Sequence, residues 1–379
     1  MTGKYPARLQ LTNFLKGLKQ PPQSPILTAK YRDALPLEEI TVAELLQSAG
    51  YATGHFGKWH LGEEHPASKL PAKGPASQGF AVAVEIAAAG PPPGLGKARH
   101  DKNTAWLTDR AIEFISTQRD KPFFCYLPYH TVHIPLEGDD KLVEKYHAKA
   151  KQATGPQKNP LYAAMVEEMD FHIGRLLAKL EELRLTDNTL VIFTSDNGGL
   201  SVVEGPHTPA TTNLPLRDGK GYLYEGGIRV PLIVRWPGKI PAGSTCDVPV
   251  MSVDWLPTLL NVCGTEIALP SDIDGVSIDR VLAGTGSPTG RDIFWHYPHF
   301  ANQGGNPTAA IRSHDWKLIE FYEDGKFELY DLASDPGEAH DLAMEKPETV
   351  KQLHKKLIAW RNRINANMPM PNPSKQVSP

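Results

Sequence analysis

Cysteine is scarce in this chain, with three among 379 residues and no Cys-x-x-Cys pair. An odd, sparse set argues against a disulfide framework or a zinc cage. Cys125 lies in the apolar run Phe123-Phe124-Cys125-Tyr126-Leu127 and reads as core. Long apolar runs are also missing. The longest candidate, residues 80–89, is short and contains Glu85, so no membrane span is expected. The segment Met1-Thr2-Gly3-Lys4-Tyr5-Pro6 lacks the apolar core of a signal peptide. Neither sign of charge dominates at a formal -3, and no basic patch stands out, so no nucleic-acid partner is expected. Cysteine usage leaves the compartment open. A periplasmic or secreted location would require a signal upstream of Met1.

What is present is an alternation of helix and strand signals, in a length that suits one large domain and a smaller one. Thr41-Val42-Ala43-Glu44 forms a capping box for a helix ending at Gly50, with a short strand over residues 51–54. Asn103 is placed to cap a helix through Trp106, Leu107, Ala111, Ile112 and Ile115. Residues 123–127 read as a fully buried strand. Met165, Met169, Ile173, Leu176 and Leu180 recur at helical spacing and predict a helix over about residues 161–183. Residues 190–193 and 230–234 are further buried strands. This order predicts an α/β fold with a mainly parallel sheet and helices on both faces.

After about residue 285 the pattern changes. Strands are expected over residues 293–297, 309–312, 316–321 and 327–332, with Asp324-Gly325 as a two-residue hairpin turn. A closing helix over about residues 347–365 completes a small α+β unit with an antiparallel sheet. Gly- and Pro-rich loops fall at residues 90–96 and 284–290. The second divides a catalytic domain, 1–285, from a C-terminal subdomain, 286–379. The tail after Met368 is expected to fray.

Ligands in open parallel sheets bind beyond the carboxyl ends of the strands. Four such loops carry chemistry. Lys58 and His60 alternate in Gly57-Lys58-Trp59-His60, so extended backbone would point both to one side. His130 and His133 follow the second strand in Pro128-Tyr129-His130-Thr131-Val132-His133-Ile134-Pro135. Asp196 and Asn197 offer oxygen ligands in Ser195-Asp196-Asn197-Gly198-Gly199. Lys220 sits between two glycines in Arg217-Asp218-Gly219-Lys220-Gly221. Each motif alone also reads as an ordinary loop. Together they suit a tetrahedral oxyanion held by a hard divalent cation and cationic donors, which is phosphate- or sulfate-ester chemistry.

Taken in order, Thr2-Gly3-Lys4-Tyr5-Pro6-Ala7-Arg8, residues 49–62, 124–135, 195–199 and 219–231, Val253-Asp254-Trp255-Leu256-Pro257-Thr258-Leu259 and Glu328-Leu329-Tyr330-Asp331-Leu332 resemble the sulfatase family. That family is formylglycine-dependent and arylsulfatase-like, within the alkaline-phosphatase-like superfamily. The resemblance implies hydrolysis of sulfate esters. It makes Asp196 and Asn197 half of a calcium site, with magnesium as the alternative ion. It makes Lys58 a bridge between metal and nucleophile, and His60 a base for the formylglycine hydroxyl. His133 and Lys220 become the pair that holds sulfate and assists the leaving alcohol, while His130 has no counterpart and is left as structural.

The family's nucleophile comes from a Cys/Ser-x-Pro-x-Arg motif, matured by formylglycine-generating machinery. No such motif occurs here. By motif spacing the modified residue is expected about eight positions before Met1, with the first strand and its Asp pair further upstream. Calcium takes about six to eight oxygens, so this chain alone is expected to bind it poorly. Loss of a strand from a parallel sheet would leave open edges, so the chain alone is expected to be inactive and poorly soluble.

Phe294-Trp295-His296-Tyr297-Pro298-His299 and Ala309-Ala310-Ile311-Arg312 resemble versions in bacterial sulfatases of sulfated carbohydrates. Trp295, His296, His299 and Arg312 are therefore candidate sugar-binding residues, and a packed aromatic strand is the other reading. The competing functions are a phosphodiesterase or phosphonate hydrolase of the same superfamily, or a non-catalytic glycan-binding remnant.

Overall fold

A computed structural model describes residues 1–14, 20–62, 73–85, 101–286 and 290–375. In chain order the elements are α1 (Pro6–Leu9), β1 (Ile26–Leu27), α2 (Val42–Ser48), β2 (Ala52–Gly57), β3 (Val82–Glu85), α3 (Thr104–Thr117), β4 (Phe123–Tyr126), α4 (Asp140–Ala150) and α5 (Pro160–Glu182). Then follow β5 (Val191–Thr194), α6 (Glu225–Ile228), β6 (Leu232–Arg235), α7 (Trp255–Val262), α8 (Asp279–Leu282), β7 (Ile293–Tyr297), β8 (Thr308–Ser313), β9 (Trp316–Phe321), β10 (Phe327–Asp331), α9 (Pro347–Arg363) and β11 (Met370–Pro371).

Local chemistry sets the helix starts. Thr41 Oγ1 accepts the Glu44 N–H at 3.2 Å and Glu44 Oε2 accepts the Thr41 N–H at 2.7 Å, which is the expected capping box of α2. Asn159 Oδ1 accepts from Leu161 and Tyr162 to open α5. Asn103 does not cap α3. It stands at φ +62 with no side-chain cap bond, and Asp101 does the work by accepting the N–H of Asn103 and of Ala105, each at 3.0 Å.

β2 is the centre of a parallel sheet of order β3-β2-β4. On one face Phe56 packs with Leu107, Ala111, Phe114, Ile115 and Leu180 of α3 and α5. A second core, built on Leu9, Leu35, Ala43, Trp59 and Phe80, adjoins it. β5 does not extend this sheet in parallel. It pairs antiparallel with β6, so the expectation of parallel order holds for three strands and fails for this pair. Among the described residues β4 bonds only to β2 and β5 only to β6. Every β4 and β5 residue is at least partly exposed, unlike buried central strands.

The C-terminal sheet is antiparallel, order β10-β9-β8-β7, with α9 packed on it through Leu353, Leu357 and Trp360. Two turns differ from expectation. Phe321 N bonds Lys326 O at 2.9 Å, so β9 and β10 are joined by a four-residue loop, with Gly325 at φ +72. The two-residue turn instead joins β8 to β9, where Ser313 pairs Trp316. The tail is tied down as far as β11, which pairs with β1. Asn372 is buried and donates to Ser24 O. The loop at residues 90–96 and part of that at 284–290 lie outside the described residues.

The two units share a core. The Tyr5 ring meets Phe294 and Trp360 edge-on at 6.4 and 5.1 Å. Among the described residues no helix is long and apolar enough to cross a membrane.

Candidate active site

The exits of β2 and β4 lie side by side because Gly57 permits it. Its φ is +138, and a Cβ there would fall 2.1 Å from Pro128 O. Lys58 N then bonds Pro128 O at 2.8 Å. His60 is at φ +58, so a left-handed kink rather than strand alternation sets its direction. It is exposed, while Lys58 is half-buried.

His133 Nδ1 is 2.8 Å from Ile134 O, which can only accept, so Nδ1 carries the proton. Nε2 is thereby left as an acceptor for Lys220 Nζ, also at 2.8 Å. The residue is exposed, but the surrounding protein excludes enough water to lower its pKa, and Lys220 and Lys58 lower it further. The Ile134 carbonyl and Asp196 act in the opposite sense. Burial is likewise the largest cause lowering Lys220, with Lys58 adding to it and Glu204 and Asp196 opposing it. The Nε2 lone pair therefore faces Lys220 Nζ, and the lowered pKa of His133 favours its neutral form.

Asp196 and Asn197 follow β5. Gly198 locks them against the Lys220 segment: its N–H bonds Gly227 O at 3.0 Å, and a Cβ there would sit 1.8 Å from Gly226 O. Lys220 N bonds Gly199 O at 3.1 Å, and Asn213 brackets Gly199 from both sides. Asp196 is exposed, and Asn197 Nδ2 donates to Gly198 O, leaving its carbonyl oxygen for a ligand. These two oxygen donors suit calcium or magnesium in kind. They fall short of the about six to eight oxygens of a calcium shell.

Sequence reasoning gave no role to two residues beside the site. His130, left as structural, has its pKa pushed down to about 4 by burial and then by Lys58, His133, Lys102 and His60. Lys102 therefore adds to the positive field around His130, which itself stays neutral. The signal for His130 was its place at a strand exit, three residues before His133. Lys102 gave none.

Asp101, Glu168 and His172 form a separate cluster whose donor atoms lie within 4.8 Å of one another. Both Asp101 oxygens already serve the α3 cap.

The proposed sugar contacts have other partners. His296 is buried, with Nδ1 at 2.7 Å from Tyr322 Oη and Nε2 at 2.9 Å from Asn367 O. His299 is buried against Thr12 Oγ1 at 2.8 Å. Trp295 packs beside Tyr224, Ile319 and Tyr330. Arg312 donates to His314 O and faces Glu225. For His296 and His299 these contacts favour the packed aromatic strand, because buried rings have no free surface to offer a sugar, while Trp295 and Arg312 are half-buried. Cys125 is half-buried against the Phe56 core, and the surrounding protein pushes its thiol up to about 12.

The profile of the family described as Sulfatase matches residues 5–265, well over half the chain. The chain belongs to the sulfatase family. A second profile, N-sulphoglucosamine sulphohydrolase, C-terminal, matches residues 218–363 and so runs across the boundary expected at 285. A protein named Sulfatase from Formosa agariphila is 36% identical over 73% of this chain and 52% of its own length. Human arylsulfatase A is 30% identical over 97% of this chain and 77% of its own length. The solved structure of Ps i-CgsB in complex with k-i-k-neocarrahexaose superposes with TM-score 0.75 at 25% identity, covering 95% of this sulfatase-family chain and 80% of that one. The chain thus spans about half of one relative and about three quarters of another.

Proposed function

We propose that this site serves hydrolysis of sulfate esters, with sulfated carbohydrates as the substrate class. The observation that carries the reading is the Lys220–His133 contact at 2.8 Å, set where strand exits bring in the positive charge of Lys58 and the negative charge of Asp196. Lys220 and Lys58 supply charge and donors for a sulfate group, beside a neutral His130. Lys220 and His133 together can hold a proton beside the leaving alcohol oxygen and deliver it as the bond to sulfur breaks. His60, at the β2 exit, is the candidate base. Similarity to a structure holding a neocarrahexaose supports a carbohydrate substrate.

The reading requires a formylglycine, which when present supplies the hydroxyl that attacks sulfur. No Cys/Ser-x-Pro-x-Arg precursor occurs in this sequence, and Asp196 and Asn197 would be two of the oxygen donors to a calcium or magnesium ion. The test uses the protein carrying that nucleophile, co-produced with formylglycine-generating machinery. Sulfate release from sulfated oligosaccharides, falling about a hundredfold or more in Lys220→Ala, is expected. Faster turnover of a phosphodiester or a phosphonate monoester than of any sulfate ester would reject it.

A further inference from the structure

Lys317, on β9, is fully buried, a costly place for an ammonium unless it is paired. Its Nζ lies 2.9 Å from Glu225 Oε1 and 2.7 Å from Glu338 Oε1. Glu338 is fully buried too, and its other oxygen accepts the backbone N–H of Glu225 at 2.6 Å. Arg312, on β8, approaches Glu225 Oε2 at 3.9 Å. The C-terminal sheet and the turn at 338 therefore converge on the first residue of α6.

From there the connection runs straight to the site. Gly226 N bonds Arg217 O at 2.8 Å, Gly198 N bonds Gly227 O at 3.0 Å, and Lys220 N bonds Gly199 O at 3.1 Å. Arg217 adds a second tie, donating from Nη1 to Tyr330 Oη at 2.9 Å and to Glu338 O at 3.1 Å. There is no slack in between, since a Cβ at Gly226 would lie 2.3 Å from Arg217 O.

We propose that Lys317 is a positioning residue for Lys220: with Glu225 and Glu338 it clamps segment 217–228 to the C-terminal sheet and so sets the Lys220 ammonium against His133. An apolar contact could hold the two surfaces together equally well. A doubly paired ammonium also fixes where along the sheet the segment sits, because each carboxylate must meet the same nitrogen. The inference rests on placing Lys220 in the site. Its test uses no turnover, so its failure is separable from failure of the sulfatase reading.

The test is hydrogen exchange at the amides of Gly198, Lys220 and Gly226 in the full chain, with the His133 imidazole followed by NMR. Lys317→Met is compared with Arg361→Met, which breaks a different buried pair of the same sheet, Arg361 with Glu320 at 2.7 Å. Lys317→Met is expected to speed exchange at the three amides by at least about tenfold over Arg361→Met. The His133 titration should move upward as Lys220 withdraws. If Lys317→Met does not fold, Glu225→Gln carries the same comparison, with a several-fold acceleration expected. Equal exchange in Lys317→Met and Arg361→Met, or unchanged exchange and an unchanged His133 in folded Glu225→Gln, overturns the proposal.

Discussion

Acid should destabilise this protein steeply between about pH 6.5 and pH 4, because three buried histidines resist protonation. His55 is fully buried, its ring boxed by Trp59, Phe80 and Tyr126 at 5.4 to 5.6 Å. His296 and His299 are 8% and 2% exposed. Burial pushes each of the three down to about 4. Their folded values lie below the unfolded value of about 6.5. The associated stability is therefore complete above that pH and is lost as pH falls toward 4. Within the window each contributes up to ~1.4 kcal/mol per pH unit, so the three together give about 4 kcal/mol per unit. Across the whole window that amounts to about 10 kcal/mol, a large share of the about 5–15 kcal/mol of a domain of ordinary stability. Urea unfolding followed by tryptophan fluorescence between pH 7 and 4 measures the slope. His299→Gln keeps a polar partner for Thr12 and should reduce the slope by at most about a third, because His130 is lowered to about 4 as well. A flat profile from pH 7 to 4, or an unchanged slope in His299→Gln, would refute the reasoning.

Gly198→Ala places a methyl 1.8 Å from Gly226 O and should cost about 3 kcal/mol, read as a lower urea midpoint. Asn213→Ala removes bonds to Gly199 N at 3.0 Å, Gly199 O at 2.9 Å and Asp218 O at 2.8 Å. It should cost about 1–3 kcal/mol and speed exchange at the Lys220 amide. Ile233, 63% exposed on β6, should promote association beside the open β5 edge. Ile233→Lys is expected to reduce light scattering while the thermal midpoint stays close to that of the native chain.

The strand-exit rule made most of the site legible. Lys58, His133, Asp196 and Lys220 each follow or flank an apolar run, and the structure brings their charges within reach of one another. The capping box at Thr41 was equally local and therefore readable. What escaped depended on partners far away in the chain. Leu232-Ile233-Val234-Arg235 looks the same whether its neighbour runs parallel or antiparallel, so the β5–β6 pairing had no local signature. His296 and His299 share residue type and aromatic company with a sugar pocket, and only burial separates that reading from packing. Lys317, in Trp316-Lys317-Leu318-Ile319, reads as an ordinary strand lysine until Glu225 and Glu338 are seen against it.

The central claim is that the Lys220–His133 pair receives the sulfate group. The most direct measurement is the NMR response of the His133 imidazole to inorganic sulfate, with chloride at matched ionic strength as the control. A saturable shift of His133 that chloride does not produce, and that disappears in Lys220→Met, is predicted. No response to sulfate, or the same response in Lys220→Met, would contradict it.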